Sequence, residues 1–399
     1  MNRFIACQLL AIAFHLPFSV YANNAIGEVG AGWLTTSEFY KVEEPVSNDG
    51  LINTYTLQTD YGRIRVEGTP MLILRAHELS ALARMQKLEK SDVFKQSLEK
   101  SAASPLRGAA ALIEDPIPTL KGAASGVGRW LSDVGRAIAS NDPHQANVAK
   151  TALGQSTAKR AFAYQFGVDP YSSFKPLQEK LDDLAWAATG GGMTIKAVFS
   201  MIPDVVGTVV SVTGTTDGMR MLVRDSSPAQ LEAHNRKILK AMKVQQNLVD
   251  ALIGNPAYTP QELTILIAEI DGMKSIRSRE KLLSAAARAE GEARAVFMRY
   301  RTQMIANYLK QTKAKGKFIA IAQTIFLKTD DGAIVGHFPV DTIRVNPEFS
   351  SKLHEFDQTI EKFSGVDRKL MFIGGSVDAP VADGLKAAGW TVVDQQFQP

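Results

Sequence analysis

The chain has 399 residues, of which 45% are hydrophobic and 22% charged, and its formal net charge is +4. Those proportions belong to a globular protein large enough for two or three domains, and they exclude a wholly disordered chain. The near-balance of charge makes no global case for nucleic acid, so we expect no nucleic-acid partner.

The chain opens with Met1-Asn2-Arg3, an apolar run from Phe4 to Leu16, a break at Pro17, and Val20-Tyr21-Ala22. This is the layout of a cleaved secretory signal over residues 1–22, with cleavage after Ala22. The expected location is periplasmic, with the extracellular space as the other destination. The one cysteine, Cys7, lies inside the signal with only six residues before it, which excludes a lipid anchor there and leaves the mature chain without thiols or disulfides.

Residues 23–48 give weak signals and read as a loose arm. The β-rich 51–57, the turn Asp60-Tyr61-Gly62 and the alternating 63–67 predict a β-hairpin. Thr69-Pro70 then starts a helix, and further helices are expected over 91–102, from Ser104, over 145–166 and over 177–188. Gly167, Asp169 and Pro170 mark a defined loop. Two stretches, 118–140 and 184–214, are rich in glycine, alanine and apolar side chains. In the second, Gly190-Gly191-Gly192, Lys196, Pro203 and Asp204 interrupt any run of about 18 apolar residues, so no transmembrane span is expected in the mature chain. Ser227-Pro228 and the capping box Thr259-Pro260-Gln261-Glu262 each open a helix, and two more are expected over 278–289 and 293–311.

From Phe318 the pattern changes. Strands are expected over 318–327, 333–338, 341–345, 370–373 and 390–393, with a turn at Asp330-Asp331-Gly332 and helices over 347–363 and 379–388. The expected fold is α+β: an N-terminal arm and hairpin (23–68), a large, mostly helical central domain (69–316), and a small C-terminal α/β unit (317–399). An isolated hairpin is marginal in water. The two ends of the mature chain are therefore expected to share one sheet or to pack together.

No motif specifies a reaction. Gly374-Gly375-Ser376-Val377-Asp378 follows a predicted strand and precedes a predicted helix, where a nucleophile elbow would sit. It lacks the final glycine, and no histidine follows His354. The weak catalytic candidates are Ser376, Asp378, His337 and His354, against a plain strand-to-helix turn. Gly154-Gln155-Ser156 lies in helical context and reads as structural. His354 with Asp357, and His337 with Asp341, are the nearest approaches to a metal pair, but no histidine pair has ligand spacing, so no metal and no cofactor are expected. Residues 277–317 are strongly basic. Arg294, Arg299, Arg301 and Lys313 are the candidates for a surface that meets anions or lipid headgroups, against a merely solvated helix face.

Gly167-Val168-Asp169-Pro170-Tyr171-Ser172, Leu184-Ala185-Trp186, residues 118–130 and the stretch from Ser376 to Val392 with its Gly389-Trp390 resemble a group of uncharacterised exported bacterial proteins. The resemblance implies a Gram-negative, periplasmic setting and brings no activity, cofactor or catalytic residue. The leading expectation is a non-catalytic binding or envelope-associated interaction protein, whose partner is an envelope component or an anionic membrane surface. The alternative is a hydrolase with its site at the C-terminal α/β unit, and a third class is a small-molecule binder.

Overall fold

A computed structural model describes residues 21–23, 37–89, 92–102, 143–189, 217–321, 324–345, 347–394 and 397. The signal segment up to residue 20, the glycine-rich stretch 118–140 and positions 190–214 of the second apolar stretch lie outside the described residues. Two compact units form, Met1–Ala76 with Leu266–Pro399, and His77–Ile265.

In the first unit, β4 (Asn53–Thr59) and β5 (Gly62–Glu67) form the expected hairpin, closed where Thr59 faces Gly62. Gly62 has a φ of +97°, a conformation that a side chain opposes. The hairpin is not alone. β1 (Tyr21–Asn23), β2 (Tyr40–Val42) and β3 (Val46–Asn48) join it in a five-stranded sheet whose pairings are all antiparallel. The arm expected over 23–48 therefore carries two of its strands. Each is three residues long, too short to show a period of two, and each depends on the β4 ladder for its hydrogen bonds.

Helix α1 (Thr69–Glu89) follows, and the division between the units falls inside it. In the second unit α2 (Asp92–Ala102) and α3 (Pro143–Phe166) pack on α4 (Lys175–Thr189), and α5 (Asp217–Asp225) packs on α3. Leu177, Leu181, Leu184 and Ala185 are buried along α4, at helical spacing. α6 (Pro228–Ala241) has a full capping box between Ser227 and Gln230. It meets α7 (Gln246–Ile253), and α8 (Pro260–Gly272) runs back across the division between the units.

The rest of the first unit is a six-stranded sheet. Its strands are β6 (Ile276–Arg277), β7 (Gly316–Ile321), β8 (Thr324–Thr329), β9 (Ala333–Phe338), β11 (Arg368–Ile373) and β13 (Trp390–Asp394). β7, β8 and β9 form an antiparallel meander, while β9, β11 and β13 run parallel. Parallel neighbours need crossover helices, supplied by α11 (Pro347–Ile360) and α12 (Ala379–Ala387). The short helix α9 (Glu280–Ala286) packs on β7 and β8, and α10 (Glu292–Thr312) packs on β9. β10 (Thr342–Ile343) and β12 (Ser376–Val377) make a separate two-stranded parallel bridge.

The expected α+β fold built around a large, mostly helical central domain over 69–316 is corrected by this arrangement. Among the described residues, helices mix with three sheets of five, two and six strands. Residues 318–327, expected as one strand, belong to two. The expected boundary between 316 and 317 falls within β7. The two ends of the chain do fall in one unit, through backbone contacts rather than a shared sheet.

Candidate functional site

Residues 374–378 lie against the segment after β9 as a ladder of backbone bonds. Gly374 N–H donates to Phe338 O at 2.8 Å, Gly375 to Val340 O at 2.9 Å, Ser376 to Asp341 O at 2.9 Å and Asp378 to Ile343 O at 3.0 Å. At Gly375 a Cβ would stand 1.8 Å from Asp341 O. Glycine is required here because two backbones touch, which is the structural meaning of the motif. Ser376 Oγ lies 3.2 Å from Thr342 Oγ1. Asp378 occupies the N-cap of α12 with extended backbone and makes no side-chain cap bond.

Asp341 ties this ladder to the N-terminal sheet. Its buried carboxylate accepts the Asn53 N–H at 2.6 Å and the Thr69 N–H at 2.8 Å, at the start of α1. Its own N–H donates to Leu51 O at 2.9 Å. The buried chain continues from Asn48 Nδ2 to Asn53 Oδ1 at 2.7 Å, from Asn53 Nδ2 to Tyr55 Oη at 2.8 Å, and from Tyr55 Oη to Thr69 Oγ1 at 2.7 Å. Burial pushes the Asp341 carboxyl up to about 6, against the opposing pull of the Asn53 and Thr69 donors. No signal in the sequence pairs position 341 with 53 and 69; only the fold does.

The other catalytic candidates are not brought to this point. His337 is buried in β9, stacked on Phe372 at 5.1 Å and edge-on to Tyr308 at 5.3 Å. Burial pushes it down to about 3, with the nearby Arg301 charge adding to the effect, so it is neutral at pH 7. His354 is exposed on α11 and bonds Gln358 at 2.8 Å. Its expected neighbour Asp357 instead accepts from Lys369 at 2.8 Å and from Trp390 Nε1 at 3.1 Å. Among the described residues, Ser376, Asp378, His337 and His354 make no hydrogen bond to one another, the contact that acid–base catalysis needs. No group of three or more His, Cys, Asp or Glu among the described residues could hold a metal ion.

The expected basic surface is largely interior. Arg299 is 2% exposed and pairs with Glu269 at 2.8 Å. Arg301 is also 2% exposed, donates to Ile325 O at 2.5 Å and lies 5.5 Å above the Phe338 ring. Desolvation pulls Arg301 down to about 10. Arg294 is half-buried, lowered by desolvation and steadied by Asp49, Glu290 and Glu67. Of the four residues, Lys313 alone is exposed, at the left-handed C-cap of α10. The physical reason lies in α10 itself. Ala295, Met298, Thr302, Ile305 and Leu309 make a buried stripe, and Arg299 and Arg301 stand directly beside it.

A second buried polar cluster fixes the loop 167–174 in the other unit. Gly167, at a φ of +74°, ends α3. Asp169 accepts the Tyr171 N–H at 2.8 Å and the Thr259 hydroxyl, while Thr259 Oγ1 caps α8 through the Glu262 N–H at 3.0 Å. Ser172 Oγ donates to buried Glu78 and accepts the Phe174 N–H at 3.1 Å. Burial, with the Glu262 and Glu78 charges adding to it, pushes Asp169 up to about 8. The sequence marked both the loop and the Thr259 cap, but not that one carboxyl serves both.

No family model, no curated protein and no solved structure matches this chain. Among the described residues, no helix is long and apolar enough to cross a membrane.

Proposed function

We propose that this is an exported, non-catalytic protein of the periplasm that works by binding at the envelope surface. The observation that carries the proposal is the employment of its reactive side chains. The Ser376 hydroxyl meets Thr342 Oγ1 at 3.2 Å, and the Asp341 carboxylate clamps two distant backbone N–H groups. His337 is shut between two aromatic rings. Groups spent on such contacts are not free to move protons in a substrate. The apolar leader and the resemblance to exported proteins support the location.

Co-sedimentation of the protein with membranes from lysed spheroplasts tests it. The expected result is recovery with the membranes at low salt and release at high salt without detergent, since exposed charge pairs are screened. Recovery entirely in the soluble fraction at low salt would refute envelope binding. A hydrolytic activity abolished by Ser376→Ala would refute the non-catalytic assignment.

A further inference from the structure

At one end of the six-stranded sheet the register stacks cations on three neighbouring strands. Arg277 of β6 pairs with Lys317 of β7, and Lys317 pairs with Lys328 of β8. Residues paired directly across strands share a face, and neighbouring strands lie about 4.8 Å apart, so the row spans about 10 Å. Lys313 and Lys315 lead straight into it. Their loop is pinned in place: Ser275 Oγ donates to Ala314 O at 3.0 Å, and Asp330 N–H to Lys315 O at 2.8 Å. Lys313, Lys315 and Lys317 are exposed, and Lys328 is partly so.

Acidic groups at this end are engaged by other cations. Asp330 holds Arg277 at 2.6 Å, Asp331 holds Arg368 at 2.8 Å, and Asp271 holds Lys274 at 2.5 Å and Arg279 at 3.3 Å. Lys313, Lys315, Lys317 and Lys328 have no ion pair among the described residues. Like charges set opposite each other across a ladder oppose folding. Lysine on an edge strand guards against aggregation, but β7 and β8 are interior strands of the sheet. Edge protection therefore does not account for Lys317 and Lys328.

We propose that Lys313, Lys315, Lys317 and Lys328 form the docking surface through which the protein meets an anionic lipid membrane. The proposal rests on the envelope-surface function above and names the residues and the partner. Charge complementarity selects an anion, and residue type selects the membrane. Residues 313–317 read Lys-Ala-Lys-Gly-Lys, with none of the interleaved aromatics on which single-stranded nucleic acid stacks. Lysine is a mobile point charge that suits headgroups of no fixed geometry, whereas arginine suits a fixed bidentate site. Each lysine near such a surface strengthens partitioning about fivefold, so removing three costs roughly a hundredfold.

Vesicle flotation tests this with the full mature chain. Phosphatidylglycerol-containing vesicles are compared with phosphatidylcholine vesicles for the parent, for K313Q/K315Q/K317Q, and for K237Q/K240Q/K243Q, which removes the same charge from exposed positions of the other unit. Melting followed by circular dichroism checks that each variant folds. The proposal expects the parent and the K237Q/K240Q/K243Q variant to float with anionic vesicles only, and K313Q/K315Q/K317Q to stay behind. Equal flotation of all three, or equal loss in both variants, would overturn the assignment of residues. Failure of the parent to float would overturn the lipid partner. Salt-released co-sedimentation with native membranes would then still stand as binding to an envelope protein, so the two failures are distinguishable.

Discussion

Gly375→Ala perturbs the backbone ladder beside Asp341, the residue whose carboxylate holds the N-terminal segment at Asn53 and Thr69. The new methyl would have to retreat from 1.8 Å to at least 3.0 Å from Asp341 O. Gly375 donates to Val340 O at 2.9 Å and Ser376 donates to Asp341 O at 2.9 Å. A shift of about 1 Å takes both bonds beyond the useful range of about 3.2 Å. Each lost buried bond costs about 1 kcal/mol, and forcing extra volume into a packed site adds about 1–3 kcal/mol. The total is about 4 kcal/mol, a large share of the stability of roughly 5–15 kcal/mol that holds a domain. Gly384→Ala is the internal control. Gly384 lies inside α12 with nothing within 4 Å of its would-be Cβ, so alanine should be neutral or stabilise by up to about 1 kcal/mol. Urea unfolding gives the two energies, and hydrogen exchange in peptides covering 50–72 and 368–394 shows where the loss falls. A Gly375→Ala variant within about 1 kcal/mol of the parent would refute the steric reasoning.

Further outcomes follow from the buried polar groups. Asp169 is pushed up to about 8 from about 3.9 in the unfolded chain. The folded state therefore holds a proton that the unfolded state releases. The stabilisation is complete below about pH 4 and is lost as pH rises through about 8. Hydrogen-exchange protection of residues 160–175 should thus strengthen between pH 9 and pH 6, and Asp169→Asn should flatten that slope; an unchanged slope contradicts the assignment. Arg299→Met removes the 2.8 Å ion pair with Glu269 and should cost about 2–3 kcal/mol in urea unfolding. Arg301→Met, with no carboxylate left behind, should cost at most about 1 kcal/mol. A larger loss for Arg301 than for Arg299 would contradict the difference in pairing. His337 is held near 3, below its unfolded value of about 6.5, so its neutral burial opposes stability as pH falls below about 6.5. NMR titration should find His337 still neutral at pH 5.

Local signals were the legible ones. The two-residue turn before Gly62, the caps at Ser227 and Thr259, and the stop at Gly167 each act within a few residues, and the elements they bound are present. What depends on distant neighbours was not legible. β2 and β3 are too short to show a period and form only beside β4. Spacing paired His354 with Asp357, but Asp357 is taken by Lys369 and Trp390 from other elements. Arg299 and Arg301 counted as surface because charge is usually exposed, yet α10 is buried on both flanks of its apolar stripe. The lysine row appears only once the register of β6, β7 and β8 is known. The sequence named Lys313 and the charge run, and the fold relocates the surface from the helix to the sheet end.

The expected export bears directly on β1. Processing after Ala22 leaves only Asn23 of the Tyr21–Asn23 strand that pairs with Val46–Asn48. The remaining sheet then rests on β2, β3, β4 and β5. Intact mass of the protein released by osmotic shock measures this step and the location together. The account predicts a chain beginning at Asn23 in the shock fluid or on the envelope; a chain still carrying Met1 and confined to the cytosol would contradict it.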